Sequence, residues 1–122
     1  MQNDNAKKEN SNPSPAFRKT GAIIYNVTVK VEQPIADAWL QWLLQEHIPD
    51  ILNTNCFFDY KVVRLLEVDE TEGPTYAVQY SAESKADYNR YIEQHSTEMR
   101  RRAFAKWGEQ FVAFRSVMQV VQ

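Results

Sequence analysis

The sequence predicts an α+β domain whose elements follow in the order β-α-β-β-α-β, and three observations carry that prediction. Ile23, Tyr25, Val27, Val29 and Val31 alternate strictly with Ile24, Asn26, Thr28, Lys30 and Glu32, the period of a strand with one face in a core. Two later stretches, one with Ile35, Trp39, Trp42 and Leu43 and one with Tyr88, Tyr91, Ile92, His95, Met99, Ala103 and Trp107, repeat at helical spacing instead. Between and after them lie three further short apolar runs bounded by turn residues.

Gln33-Pro34 ends the first strand, and Pro is well placed in a first helical turn, where its missing N–H costs nothing. Pro49 is expected to interrupt the first helix, with Asp50-Ile51-Leu52 adding one more turn before Asn53-Thr54-Asn55. A second strand is expected from Cys56 or Phe57 to about Val68. It is followed by an acidic loop, Asp69-Glu70-Thr71-Glu72-Gly73-Pro74, and a third strand from Thr75 to Ser81. Ser84-Lys85-Ala86-Asp87 has the form of a capping box that opens the second helix, and Gly108 suits its end. Phe111 to Val121 reads as the last strand. Such an order gives the split βαβ, or ferredoxin-like, arrangement: a four-stranded antiparallel sheet with two helices on one face. Strands one and three are expected at its centre, running parallel, with strand four beside strand one and strand two beside strand three.

The 122 residues suit one domain, since single domains run to about 100–200 residues. No run approaches the ~18 apolar residues of a membrane span. Residues 1–21 are rich in Asn, Ser, Pro and Lys, with four basic and two acidic side chains, and Phe17 is the only sizeable apolar one. They are expected to form a disordered tail, and residues 22–122 the domain. A docking tail for an acidic partner is the alternative to a solvated leader. The tail lacks the apolar region of a secretory signal, and the lone Cys56 excludes an intrachain disulfide, which together fit a reducing cytoplasm. The remaining ten basic and fourteen acidic residues leave the domain acidic, which argues against nucleic acid as a partner.

Both helices on one sheet face leave the other face bare. Strand one presents Ile24, Asn26, Thr28 and Lys30 there, and strand three Thr75, Ala77, Gln79 and Ser81. On strand four Val112, Phe114, Met118 and Val120 are the more apolar set and are assigned to the core, which puts Phe111, Ala113, Arg115, Val117 and Gln119 outside. Asn26, Gln79 and Arg115 are therefore expected to converge on the open face as a ligand-binding set, two amides and a guanidinium fork suited to a carboxylate. Inter-subunit hydrogen bonding is the competing role for them. Strand two is apolar on both faces, through Phe58, Tyr60, Val62 and Leu66 on one and Phe57, Val63 and Leu65 on the other. That pattern suggests a homodimer in which two sheets pack together.

The runs Ile23-Ile24-Tyr25-Asn26-Val27-Thr28-Val29, His47-Ile48-Pro49-Asp50-Ile51-Leu52, Thr75-Tyr76-Ala77-Val78-Gln79-Tyr80 and Phe111-Val112-Ala113-Phe114-Arg115 resemble an uncharacterised bacterial family of small ferredoxin-like domains of unknown function. The resemblance covers about residues 22–122. More distantly the chain is similar to the dimeric α+β barrel superfamily, in which two such sheets face each other around a cavity. That superfamily includes cofactor-independent oxygenases, isomerases and haem-degrading enzymes. The close family implies no catalytic residues, and kinship of fold does not transfer a reaction.

The remaining candidates come from the residues themselves. His47 and Asp50, where the first helix breaks, are candidates for a general base and its orienting carboxylate. Such a pair more often closes a helix end, where the His helps satisfy terminal carbonyls. His95 reads as a packing residue, the three Trp as core, and Arg100-Arg101-Arg102 as a solvated run. Two His and one Cys without short repeated spacing predict neither a metal nor a cofactor. The third strand has Thr75 and Ala77 where RNA-binding sheets of this topology carry stacking aromatics, which argues against that class. Two functions remain from the sequence. One is a homodimer with a possible small-ligand cavity. The other is a cofactor-independent enzyme on a small aromatic or anionic metabolite, with Arg115 as anchor and His47 as proton carrier. His47 pointing away from the open face rules out this enzyme reading with that residue as base.

Overall fold

The computed structural model describes residues 20–122, so the expected tail falls outside them except for Thr20 and Gly21, which form a turn. The strands are β1 (Ile23–Val31), β2 (Asp59–Arg64), β3 (Thr75–Ala82) and β4 (Phe111–Gln119). They form one sheet in the order β2-β3-β1-β4, with every neighbouring pair antiparallel. Strands one and three are central as expected, but they do not run parallel. The first helical crossover returns the chain so that β2 runs in the direction of β1, and the hairpin then reverses it, leaving β3 opposed to β1.

The helices are α1 (Ala36–Trp42), α2 (Ile48–Leu52), α3 (Lys85–Gln94) and α4 (Ser96–Trp107). Pro49 does not break the first helical stretch. A π turn, Leu43–His47, joins α1 to α2, with the Ile48 N–H donating to the Leu43 carbonyl. Proline lacks the N–H and its ring crowds the carbonyl four residues back, so opening the preceding turn lets the axis continue without the clash. The second helix, expected to be continuous, is kinked at His95, whose backbone leaves the helical region (φ −129°, ψ −28°). Buried Ser96 explains the kink: its hydroxyl donates to the Ile92 carbonyl at 2.7 Å, a contact that bends helices. Ser84 caps α3 by accepting from the Asp87 N–H at 3.1 Å, as its position predicts.

The core lies between the helices and one sheet face. It joins Ile23, Tyr25, Val29 and Val31 of β1 and Tyr76, Val78 and Tyr80 of β3 to Trp39, Trp42, Leu43, Ile48, Ile51, Tyr91 and Met99. Cys56 and Phe57 enter this core from the loop after α2, which the Arg90 guanidinium holds by donating to the Thr54 and Asn55 carbonyls. The opposite sheet face carries no helix. The assignment of faces on β4 is the reverse of the expected one. Phe111 and Ala113 pack against the core, whereas Val112 (55 % exposed), Phe114 (70 %) and Met118 (40 %) stand on the open face.

The β2–β3 loop closes on the end of β1. Val31 N–H donates to Pro74 O at 3.0 Å and Gln33 N–H to Glu72 O at 2.8 Å, while Arg64 and Lys30 hold Glu70 and Glu72. Gly73 sits at φ +145°, and a Cβ there would lie 1.8 Å from the Val31 carbonyl oxygen. Neither the conformation nor the space admits a side chain. Gly73→Ala is therefore expected to cost about 2 kcal/mol or more, read as a lower urea midpoint at unchanged m-value.

Candidate functional site

The helices and the sheet do not close fully on one another. Between them lies a cavity of about 240 Å³, slightly below the ~300–1,000 Å³ usual for ligand pockets, so it suits a single-ring molecule. Its walls are mainly aromatic and aliphatic: Tyr25, Val27, Val78 and Tyr80 from the sheet, Trp39, Trp42, Tyr91 and Met99 from the helices. Phe104, Arg100 and Arg115, all exposed, stand at its rim.

Tyr25 holds the centre of this wall because the alternation of β1 turns it inward, where four rings enclose it. The centroids of Phe57, Tyr80, Tyr88 and Tyr91 lie 6.0, 6.1, 5.6 and 5.7 Å from its own. Its phenol oxygen accepts from the Arg115 Nε at 3.2 Å. That bond follows from register: Arg115 pairs with Val27, two residues along β1 on the same face as Tyr25. Neither Arg115 nor Arg100 pairs with a carboxylate among the described residues; the neighbouring Arg101 and Arg102 are both bound to Glu98, and Arg102 also to Asp50. Two guanidinium groups thus stand at an apolar mouth without a carboxylate partner among the described residues.

His47 is placed by the π turn. Five residues span that turn, and the imidazole stacks on Trp42 with ring centroids 4.5 Å apart and planes 22° from parallel. It lines the cavity on one side and a polar surface groove with Glu46, Asp50, Arg101, Arg102 and Lys106 on the other. Burial lowers its pKa to about 4; Asp50 pulls it up, and Arg102 and Arg115 push it further down. At neutral pH the ring is therefore uncharged and has a free lone pair. Burial raises the pKa of Tyr80 and of Tyr91, so both remain phenols. Among the described residues no three His, Cys, Asp or Glu side chains gather as metal ligands.

The expected ligand set is thus divided. Asn26 and Gln79 face each other across β1 and β3 on the open face, where Asn26 Nδ2 donates to Thr28 Oγ1 at 3.0 Å and to Ser116 Oγ at 3.3 Å. Arg115 is on the other face, because the register sets Ser116, not Arg115, beside Asn26. His47 also points away from the open face, which rules out the enzyme reading expected from the sequence, with that residue as base on a ligand held there. The structure instead brings His47 and Arg115 together around the inner cavity, with Asp50 on the groove side of the imidazole. The sequence reading missed Tyr25, Trp42 and Tyr91 as site residues because they carry the core period. It missed Arg100 because a three-arginine run reads as solvent-facing, although its place beside Met99 and three residues before Ala103 was a usable signal.

Fold and site together define a ferredoxin-like α+β domain with a cavity between sheet and helices. The family model described as a domain of unknown function (DUF4286) matches residues 22–121, and the chain belongs to that family. No curated protein matches the sequence. Among solved structures it is similar to SnoaB, a cofactor-independent oxygenase from Streptomyces nogalater, at 11 % identity over 84 % of this chain and 96 % of that one, with a TM-score of 0.62. It is similar to an EthD-like protein from Ralstonia eutropha JMP134 at 14 % identity over 85 % and 96 % of the chains, TM-score 0.61. A dimeric ferredoxin-like protein from an uncultured marine organism shares 12 % identity over 83 % and 96 %, TM-score 0.58. At these identities the likeness establishes the fold. No helix among the described residues is long and apolar enough to cross a membrane.

The His47 shift makes a signed prediction. The folded pKa of about 4 lies below the ordinary 6.5, so the unfolded chain takes up the proton first. Stability is complete above pH 6.5, falls as pH drops towards 4 and loses nothing more from this group below that. The loss is roughly 3 kcal/mol. His47→Gln should flatten this part of the stability–pH curve relative to wild type in urea titrations at a series of pH values.

Proposed function

We propose that this protein is a homodimer that binds a small aromatic anion in the cavity between sheet and helices, with Arg115 and Arg100 receiving the charge. The observation that carries the reading is Arg115, a guanidinium at the mouth of an aromatic cavity whose partner among the described residues is the Tyr25 hydroxyl. A carboxylate can accept from its remaining N–H groups while the ring of the ligand lies among Trp42, Tyr25 and Tyr91.

The dimer is supported by the open face. Register sets Met118 of β4 beside Ile24 of β1 on that face, with Phe114 beside Thr28 and Val112 beside Lys30, and Val63 of β2 adds a further exposed apolar group. An apolar patch of this kind is normally covered, and a second copy of the same sheet is self-complementary to it. Asn26 and Gln79 then belong to the interface, where amides satisfy one another across subunits. The dimeric ferredoxin-like relative supports the same reading. The buried, unpaired Cys56 accords with a reducing compartment, and a cytoplasmic setting belongs to the proposal.

Phenylacetate is the probe for the cavity. It should bind and raise the melting temperature, whereas acetate should not. Arg115→Met should weaken binding about 10- to 100-fold, the loss expected for one charge-assisted hydrogen bond. Equal binding by the variant in calorimetry removes the anion site. Separately, light scattering at micromolar concentration should find a dimer for the wild type and a monomer for Phe114→Asp. A wild-type monomer overturns the sheet-to-sheet dimer.

A further inference from the structure

We propose that His47 and Tyr25 act as a proton acceptor and an oxygen-holding donor on the bound molecule, and that this molecule is an aryl-substituted 2-oxo acid whose keto and enol forms the protein interconverts. The inference rests on the cavity being a binding site for an aromatic anion, and it names the substrate class and the chemistry of that site.

Three features of the cavity point to proton transfer beyond retention of a ligand. The first is the Tyr25 phenol. Its oxygen accepts from Arg115 and its side chain lines the cavity, which leaves the hydroxyl proton available to a bound molecule. A donor fixed by four neighbouring rings suits an oxygen on which negative charge develops. The second is His47, which lines the same cavity stacked on Trp42 and is kept neutral by its burial. The third is that His47 also borders the outer groove beside Asp50, so its ring joins the cavity to solvent and can exchange a proton with it. A residue that only packs gains nothing from this double exposure.

The substrate class follows from the walls. The aromatic surface takes a ring, the arginines take a carboxylate, and an oxygen near Tyr25 calls for a carbonyl between the two. The carbon joining ring to carbonyl then carries the acidic C–H. His47 takes that proton through a ring nitrogen and becomes imidazolium. The C–H electron pair moves into a new C=C bond as the carbonyl π pair moves to oxygen. Tyr25 O–H holds this enolate oxygen and keeps its own proton. Imidazolium returns its proton to the oxygen to give the enol, so atoms and charge balance with no cofactor or oxidant. Arg102 and Arg115 disfavour the imidazolium and Asp50 favours it, while Glu46, Arg101 and Lys106 also line the groove side.

The test uses phenylpyruvate with the intact protein in D₂O, following loss of the methylene proton signal by NMR, and calorimetry of the same ligand in parallel. Wild type should exchange the protons faster than buffer, with the rate rising through about pH 4 to a plateau as His47 becomes the free base. His47→Gln should lower the catalysed rate about 10²–10⁴-fold while binding stays within a few fold. Tyr25→Phe, which keeps the ring and removes the oxygen, should also slow exchange more than it weakens binding. Wild-type exchange at the buffer rate with phenylpyruvate bound overturns the proton-transfer inference and leaves the binding site standing. Exchange undiminished in a folded His47→Gln variant overturns the assignment to His47. Absence of binding by both phenylacetate and phenylpyruvate overturns the binding site and the inference with it.

Discussion

β4 lies beside β1 with Arg115 opposite Val27 and Ser116 opposite Asn26, and that register decides what each face of the sheet can do. Side chains alternate along a strand, so a slip of one residue would carry Arg115 to the open face and bring Val112, Phe114 and Met118 under the helices. The observed register does the opposite. It places a guanidinium against Tyr25 inside the helix–sheet layer and leaves the bulkier apolar set on the bare face. The inner cavity with its charged rim and the outer apolar surface are thus two consequences of one pairing.

The inner face tolerates the arginine because the layer is open at that edge. Arg115 keeps part of its side chain in solvent, so the ion is not fully desolvated, while its Nε reaches the buried phenol. Deeper in, the ionisable groups are held neutral: His47 below its usual range, Tyr80 and Tyr91 above theirs. Charge at the mouth and neutral donors and acceptors within form a gradient suited to an amphipathic ligand. In the proposed binding mode the carboxylate would stay hydrated at the rim while the ring enters the dry part.

Much of this architecture was legible in the residues. The alternation of β1, the Ser84 cap and the strand order follow from local rules that the tertiary structure does not overrule. The face of β4 was misread for a physical reason. Val112, Phe114, Met118 and Val120 are more apolar than Phe111, Ala113, Arg115 and Val117, and core assignment by apolarity presumes that a single core exists. An apolar set standing on an uncovered sheet face breaks that presumption. The two helical irregularities were hidden for another reason: Pro49 permits either a break or a widened turn, and Ser96 kinks its helix only because its hydroxyl is buried against the Ile92 carbonyl. The site went unseen because its aromatic walls have the period of a core, and only three-dimensional packing leaves the gap among them.

A crystal structure with 4-bromobenzoate tests the central claim most directly, because anomalous scattering locates the bromine independently of the protein density. The account predicts a bromine peak among Tyr25, Trp42 and Tyr91 with the carboxylate against Arg115. A peak on the open sheet face beside Asn26 and Gln79, with Arg115 turned towards it, would contradict the register from which the rest is derived.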